Sequence, residues 1–426
     1  MKALALVDGE HYPEVVRGAF AELPYEIAGA VLLGGEEKLR EPPDYGVPLF
    51  GSLEEGIAAT GSEVVLDLSD EPVVDARRRF RLAASTLAAG VPYIGADFRF
   101  DPVDLEPFPL SSLAVIGSGK RVGKTAVAGH VARVLSRTRE VVVVAMGRGG
   151  PPDPVIAEAA PTVEDLVALS RAGAHAASDY LEDAALARVT TVGARRCGGG
   201  LAGAPFFSNV QAAARLAASL EPDLVVFEGS GTAIPPVAVG ARILVAGAAQ
   251  DPELVSGFLG AYRILLSDLV VLTCCEEPLA PPQAVDRLRA AITEVKDVPV
   301  IATVLRPRPA ERVAGRRVAY FSTAPQAVHD RLRAHLAAEH GADVVLVSGN
   351  LARRDELRAE LDSLPAREAD VYLVELKAAA IDVVAEAAAE RGTRVVLCDN
   401  EVLVLAGEPD LDERVFALTT REEIPA

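Results

Sequence analysis

One stretch, residues 117–125 with the sequence GSGKRVGKT, constrains this chain more than any other. It follows the apolar run at residues 113–116, which is typical of a buried strand, and precedes residues 125–135, whose apolar side chains recur at helical spacing. This order is typical of a phosphate-binding loop: a strand, a glycine-rich turn, a Lys-Thr pair and a helix. Such a loop binds phosphate because small residues expose backbone N–H groups and the helix N-terminus adds a positive dipole end. The sequence therefore predicts a nucleotide site. Its predicted residues are Gly117, Ser118, Gly119, Lys120, Arg121, Val122, Gly123, Lys124, Thr125 and Ala126.

Lysine usage supports this interpretation. Only six of the 42 basic residues are lysines, yet Lys120 and Lys124 both fall in the loop. A planar arginine does not replace a compact ammonium inside a phosphate cradle, so Lys124 is expected to reach the β- and γ-phosphates of a nucleotide and Thr125 to bind Mg²⁺. The structural alternative is a glycine turn that opens a helix and carries a solvated basic residue.

Length and composition restrict the remaining possibilities. A chain of 426 residues is too long for one compact core and indicates two or three domains. The net charge of −19 argues against a nucleic-acid surface, and apolar runs of four to seven residues are too short to span a bilayer. The four cysteines show no zinc-binding spacing and the N-terminus has no signal-peptide pattern, so we expect a cytoplasmic protein with reduced thiols.

Two glycine-rich loops follow further predicted strands. Arg148 and Asp153 lie in the loop after residues 141–145, where a second-strand loop would face the nucleotide, and Asp153 is a candidate ligand of magnesium or water. Arg195 and Arg196 precede a run containing Gly198 and Gly199, a composition that suits an anion because guanidinium groups and backbone N–H groups both donate to it. An ordinary turn aspartate and a mobile loop with solvated arginines are the competing interpretations.

A carboxylate completes the predicted site. Glu228 ends the apolar run 224–227 and is followed by Gly-Ser-Gly-Thr. At the carboxyl end of a core strand such a residue supplies charge for Mg²⁺ or orients a nucleophile. A buried structural glutamate is the weaker interpretation, because an unpaired carboxylate is costly inside a protein.

The motifs resemble those of known families. The loop, with Ser118 where the strict pattern has glycine, and the EGSG turn are similar to dethiobiotin synthetase and its relatives. Taken together, MGRGGP at 146–151, RRCGGG at 195–200 and FEGSGTAIPPV at 227–237 resemble the cyclic 2,3-diphosphoglycerate synthetase family, as do the opening LVDGEHYP and YIGADFRFDP at 93–102. The resemblance implies a cytoplasmic ligase that uses ATP and Mg²⁺ to close 2,3-diphosphoglycerate into its cyclic anhydride, with release of ADP and phosphate.

The alternation of strand and helix patterns predicts an α/β fold. We expect a central P-loop NTPase-like parallel-sheet domain at residues 111–305, flanked by smaller Rossmann-like βα domains at 1–110 and 306–426. Proline-rich pieces at residues 101–109 and 306–309 are predicted to connect them. Polar residues after the C-terminal strands are further candidate ligand positions, and they are Ser348, Gly349, Asn350, Glu375, Lys377, Asp399 and Asn400.

These observations give each candidate residue a hypothetical role. The catalytic residues are expected to be Lys124, Lys120, Arg148 and Glu228. The substrate-binding residues are expected to be Arg121, Arg148, Arg195, Arg196, Gly198 and Gly199, and the metal ligands Thr125, Glu228 and Asp153. A homodimer is ordinary for such a loop. Another ligase or kinase of the dethiobiotin synthetase type, or a non-catalytic nucleotide switch, is the alternative function.

Overall fold

The computed structural model describes residues 1–35, 37, 43–157, 160–173, 176, 178–376 and 380–420. Lys377, a candidate ligand position in the sequence, lies outside the described residues. Within these ranges no helix is both long and apolar enough to cross a membrane.

The first hundred residues form a sheet of their own. Its strands are β1 (Lys2–Val7), β2 (Glu26–Leu32), β3 (Leu49–Phe50), β4 (Val64–Asp67), β5 (Tyr93–Ile94) and β6 (Arg99–Phe100), and its helices are α1 (Pro13–Glu22), α2 (Leu53–Thr60) and α3 (Ala76–Ala88). The strand order is β3-β2-β1-β4-β5-β6, and only the β5–β6 pair is antiparallel. Parallel neighbours joined by helices match the predicted βα units.

The central part of the chain continues the alternation. Its strands are β7 (Ser112–Gly117), β8 (Val141–Gly147), β9 (Val155–Ala157), β10 (Thr190–Cys197), β11 (Phe207–Ser208), β12 (Leu224–Glu228), β13 (Ala241–Gly247), β14 (Leu269–Thr273) and β15 (Val300–Pro309). Its helices are α4 (Lys124–Leu135), α5 (Val163–Arg171), α6 (Asp179–Leu186), α7 (Val210–Ala218), α8 (Pro252–Ser256), α9 (Gly260–Leu265) and α10 (Pro282–Val295).

The central strands lie in the order β11-β10-β8-β12-β7-β13-β14-β15, with β9 beside β10. Every neighbouring pair from β10 to β15 is parallel, and β8 and β12 are buried along their whole length. Continuous β-branched and apolar runs suit strands that have helices on both faces. The carboxyl ends of β7, β8 and β12 are therefore adjacent at one edge of the sheet, where the glycine-rich loops begin.

The last third of the chain extends this sheet. Its strands are β16 (Arg317–Phe321), β17 (Asp343–Ser348), β18 (Val371–Glu375) and β19 (Arg394–Val404), and its helices are α11 (His329–His340), α12 (Arg354–Leu361), α13 (Leu364–Arg367), α14 (Glu386–Arg391) and α15 (Leu411–Leu418). β15 pairs antiparallel with β19 over residues 303–309, so the central and C-terminal strands form one sheet of 13 strands. The predicted α/β fold, with its large parallel sheet, is confirmed.

The proline-stiffened connection predicted at residues 306–309 is wrong. These residues are the second half of β15 and pair with residues 398–401 of β19. Beyond Ala302 the strand has left β14 and has β19 as its one partner in the described sheet, so a proline without an N–H group is tolerated there. The division into three domains stays a prediction.

Candidate active site

The glycine-rich loop between β7 and α4 has the backbone that the sequence predicted. Gly123 directly precedes Lys124, the first residue of α4, and has a φ of 78°, a left-handed conformation that favours glycine. A Cβ atom on Gly123 would also lie 2.9 Å from Cδ1 of Leu305. The turn therefore requires glycine for both conformation and space.

Lys124 and Glu228 form an ion pair beneath this loop. The Nζ atom of Lys124 donates a hydrogen bond to Oε1 of Glu228, and the two side chains are only 9% and 0% exposed. Glu228 ends β12, the strand beside β7. The predicted phosphate-binding lysine and the predicted strand-end carboxylate therefore belong to one site.

The loops that carry these two residues approach each other closely. A Cβ atom on Gly117 would lie 2.7 Å from the carbonyl oxygen of Gly231, in the EGSG turn after Glu228. The same turn is surrounded by cationic side chains. A Cβ atom on Gly231 would lie 3.5 Å from Nη2 of Arg196, 3.6 Å from Nη2 of Arg148 and 3.8 Å from Cγ of Lys120. Three predicted cationic residues thus converge beside the Lys124–Glu228 pair.

Arg196 also links two loops. Its Nη1 donates to the carbonyl oxygen of Gly198 at 2.6 Å and its Nη2 to that of Ser230 at 2.7 Å. Burial lowers the pKa of Arg196, and the neighbouring Arg148 lowers it further. Burial and the repulsion of Arg148 both disfavour the charge on Arg196, and a bound anion would relieve this repulsion.

Arg195 and Arg196 point to opposite faces of their strand. Successive residues of a strand point to opposite faces, and both arginines lie in β10. The guanidinium of Arg195 lies 5.8 Å from the ring centroid of Phe207, whereas that of Arg196 donates to Ser230. The two guanidinium groups therefore leave β10 in different directions, and the anion-binding role of each arginine stays a prediction.

The surroundings of Asp153, Ser118 and Thr125 are also defined, and their predicted ligand contacts stay predictions. Asp153 is exposed, and among the described residues no hydrogen bond connects it to the loop or to Glu228. The backbone N–H of Ser118 donates to Val245 at 2.9 Å and its hydroxyl to Oε1 of Gln250 at 2.6 Å, so this residue fastens the loop to β13. Thr125 is half-buried in the first turn of α4, the position from which its predicted metal contact would be made.

Comparison with known proteins decides the family. Three family models match this chain: the N-terminal domain of cyclic 2,3-diphosphoglycerate synthetase at residues 2–101, its P-loop domain at 112–304 and its C-terminal domain at 309–401. The chain belongs to the cyclic 2,3-diphosphoglycerate synthetase family.

Individual relatives agree with this assignment. A cyclic 2,3-diphosphoglycerate synthetase of Rubrobacter xylanophilus is 53% identical over 417 residues, which are 94% of each chain. One of Methanothermus fervidus is 41% identical over 430 residues, 95% of this chain and 93% of the relative. Among solved structures, LpxK from Aquifex aeolicus in complex with ATP has a TM-score of 0.45 at 16% identity, covering 74% of this chain and 90% of that one. The family models and the two synthetases confirm the family that the motifs predicted.

Within this synthetase-family fold, Asp183 is a site residue that the sequence did not reveal. This residue lies in α6 and is 2% exposed, and its carboxyl group adjoins that of Glu228. Burial raises the pKa of Asp183 well above its usual range, the Glu228 and Glu182 carboxylates add to the effect, and Lys124 partly offsets it. In the sequence, Asp183 is one acidic residue of an ordinary helical pattern, DYLEDAAL, which gives no sign of a contact with residue 228.

Arg263 was missed as well. This 5% exposed residue of α9 donates to three carbonyl oxygens, of Thr232 at 2.9 Å, Leu259 at 3.1 Å and Leu201 at 3.2 Å. Burial lowers its pKa to about 10. Arg263 therefore fastens the turn after Glu228 to the glycine-rich loop after β10, and it borders a cavity of about 340 Å³ that also reaches Ser118.

The buried carboxylates are compatible with a divalent cation. Oε2 of Glu228 and Oδ2 of Asp183 are both buried, and no N–H group or hydroxyl of the described chain donates to them. Carboxylate oxygens are the protein ligands that Mg²⁺ prefers, and such ions commonly sit beside bound phosphates. The donor set present thus fits the ion that the family resemblance implies.

Proposed function

We propose that this protein uses ATP to join the two phosphates of 2,3-diphosphoglycerate into a cyclic anhydride, releasing ADP and orthophosphate. The observation that carries the proposal is the Lys124–Glu228 pair under a phosphate-binding loop, with Lys120, Arg148 and Arg196 gathered at the adjoining turn. The names of its relatives support the same reaction.

The substrate requires this density of positive charge. Its two phosphate groups repel each other, and bringing them into one ring also requires a leaving group. In the proposed sequence an oxygen of one substrate phosphate attacks the γ-phosphorus of ATP, and the bond to the β-phosphate oxygen breaks to release ADP. An oxygen of the second phosphate then attacks the first substrate phosphorus, and the bond to the transferred phosphoryl group breaks to release orthophosphate.

Each residue has a defined part in this proposal. Lys124 turns from Glu228 to the β- and γ-phosphates and stabilises the negative charge that moves during transfer. Lys120, Arg148 and Arg196 hold the phosphates of the acceptor near one another, a positioning role that removes part of the entropic barrier. No general base is required, because an ionised phosphate is already a nucleophile. Thr125 and Glu228 would hold Mg²⁺, which when bound neutralises charge on the nucleotide phosphates.

A coupled assay of ADP release tests the proposal. The wild-type protein is expected to release ADP when 2,3-diphosphoglycerate is added. In Lys124→Ala the rate of ADP release should fall by about 10²–10³-fold or more, because the loss of one electrostatic contact to a transition state has an effect of this size. Lys2→Ala, at an exposed position of β1, is the matched control and should retain the rate. Near-full activity of Lys124→Ala would exclude the loop from catalysis. Stimulation by a carboxylate or an amine instead of 2,3-diphosphoglycerate would favour the dethiobiotin-synthetase type of reaction.

We also propose that the protein is a cytoplasmic homodimer. Large apolar side chains are exposed on the segment from the end of β10 to β11: Phe206 is 95% exposed, Leu201 70% and Phe207 50%. Clustered exposed apolar side chains are typical of surfaces that are covered by a partner. Light scattering coupled to gel filtration measures the proposed dimer mass directly.

A further inference from the structure

We propose that Asp183 is a carboxylate ligand of the magnesium ion that accompanies ATP, the role that the sequence suggested for Asp153. The proposal rests on the proposed function, because it assumes that Mg²⁺ and ATP meet at the Lys124–Glu228 site. It adds a residue from α6, an element that contributes nothing to the loop and strand motifs.

The position of Asp183 is the first argument. Helix α6 packs against β8 and β10, and this packing places Asp183 against Glu228 at the end of β12. The two carboxyl groups are 2% and 0% exposed. Two adjoining carboxyl groups can both be ionised in such surroundings only beside enough positive charge, and among the described residues Lys124 supplies one such charge, to Glu228.

The unpartnered oxygens are the second, independent argument. In the described part of the chain, no N–H or hydroxyl group donates to Oδ2 of Asp183 or to Oε2 of Glu228. Lys124 serves only the other oxygen, Oε1, of Glu228. When Lys124 turns to the nucleotide phosphates, Glu228 loses that partner, and two buried carboxyl groups then adjoin the phosphates without a cation. A divalent ion supplies the missing charge.

Asp153 lacks these properties. It is exposed in the loop after β8, so water already solvates its carboxylate. A bound metal would therefore relieve no desolvation cost at Asp153. It provides a matched control for Asp183, because both can be changed to asparagine with almost no change in shape.

Binding of Mn²⁺, used as the probe ion, tests the proposal without measuring turnover. The full-length protein is titrated with Mn²⁺ in the presence of a non-hydrolysable ATP analogue, and free Mn²⁺ is quantified by electron paramagnetic resonance. Asp183→Asn is expected to weaken Mn²⁺ binding by about 10–100-fold, the range seen when a metal site loses a supporting group. Asp153→Asn should bind Mn²⁺ like the wild type. Both variants should bind a fluorescent ATP analogue normally when no metal is present.

A spectroscopic measurement on the wild type covers the case in which Asp183→Asn does not fold. Protein labelled with ¹³C at the aspartate carboxyl groups should show a ¹³C hyperfine coupling to bound Mn²⁺, and the coupling should persist in labelled Asp153→Asn. Wild-type Mn²⁺ affinity in Asp183→Asn, or no aspartate coupling in the wild type, overturns the proposal. If the wild type binds the nucleotide but no Mn²⁺, the magnesium part of the proposed function fails too, which separates the two failures.

Discussion

At the scale of single residues, the site depends on the absence of side chains as much as on their presence. Gly117 ends β7, and its Cα is so near the turn after Glu228 that a methyl group would lie 2.7 Å from the backbone oxygen of Gly231. A backbone atom cannot rotate away as a flexible side chain can. Glycine at this position therefore lets the phosphate loop and the cationic turn share one site.

Gly117→Ala tests this close approach. The added methyl group should push the two loops apart, destabilise the protein by roughly 1–3 kcal/mol as other overpacked positions do, and lower ADP release by a larger factor than the stability loss explains. Gly18→Ala is the control, because Gly18 lies in α1 and a methyl group added there would have nothing within 4 Å. That change should stabilise α1 by about 0.5–1 kcal/mol. Calorimetry and the coupled assay measure both effects, and an unchanged Gly117→Ala enzyme would contradict the account.

The sequence predicted the parts of the site that are encoded locally. The phosphate loop and Glu228 each follow an apolar strand within a few residues, so their motifs could be identified without knowledge of the fold. Asp183 could not be identified in this way. It belongs to the site because it adjoins Glu228, which lies 45 positions later in the chain. The different directions of Arg195 and Arg196 were not predicted, because composition alone does not show which face of a strand each neighbour occupies.

At the scale of secondary-structure elements, α4, the helix after the phosphate loop, is fixed by contacts with α15. Nε2 of His130, in α4, lies 2.9 Å from Oδ1 of Asp412 in α15, and Arg137 donates to the other oxygen of Asp412 at 2.8 Å. Burial lowers the pKa of His130, and the attraction of Asp412 offsets only part of that shift. The folded protein thus favours a neutral imidazole at the contact between α4 and α15.

This contact predicts a pH dependence. Unfolded chains protonate histidine near pH 6.5, but folded His130 takes up its proton only at lower pH, so the unfolded state binds more protons in between. The stability that this residue contributes is complete above about pH 6.5 and is lost as the pH falls towards the folded pKa. His130→Gln should therefore lose less melting temperature than the wild type between about pH 7.5 and 5.5.

A variant that changes no titratable group supplies the control for this experiment. Gly18→Ala lies in α1, outside the α4–α15 contact. It should keep the pH dependence of the wild type when melting is followed by calorimetry. An equal or steeper loss of melting temperature in His130→Gln would show that the buried imidazole does not govern the contact.

At the scale of the whole molecule, the central and C-terminal parts are joined more firmly than the sequence indicated. Strand β15 passes through the predicted boundary at residues 305 and 306 and pairs with β19 over seven positions, from Thr303 to Pro309. Prolines and arginines in that stretch resemble a linker because local composition does not reveal a partner strand nearly a hundred residues later. The N-terminal sheet is separate and was predicted correctly as a succession of βα units.

Two truncated chains test this difference. Residues 1–305 end inside β15 and lose β19, which exposes a sheet edge that can pair with other chains. We expect this fragment to aggregate or to melt at a markedly lower temperature than the full chain. Residues 111–426 retain the 13-stranded sheet and should stay folded and monodisperse. The opposite order of stability, followed by calorimetry and gel filtration, would show that β15 does not bind the two parts together.

The most direct test of the central claim is phosphorus NMR of the full-length protein with ATP, Mg²⁺ and 2,3-diphosphoglycerate. Because one site is proposed to transfer the γ-phosphoryl group and close the ring, the account predicts that ADP, orthophosphate and a cyclic pyrophosphate signal appear together in equal amounts. All three should be absent with Lys124→Ala. ADP and orthophosphate accumulating while 2,3-diphosphoglycerate stays unchanged would contradict the account.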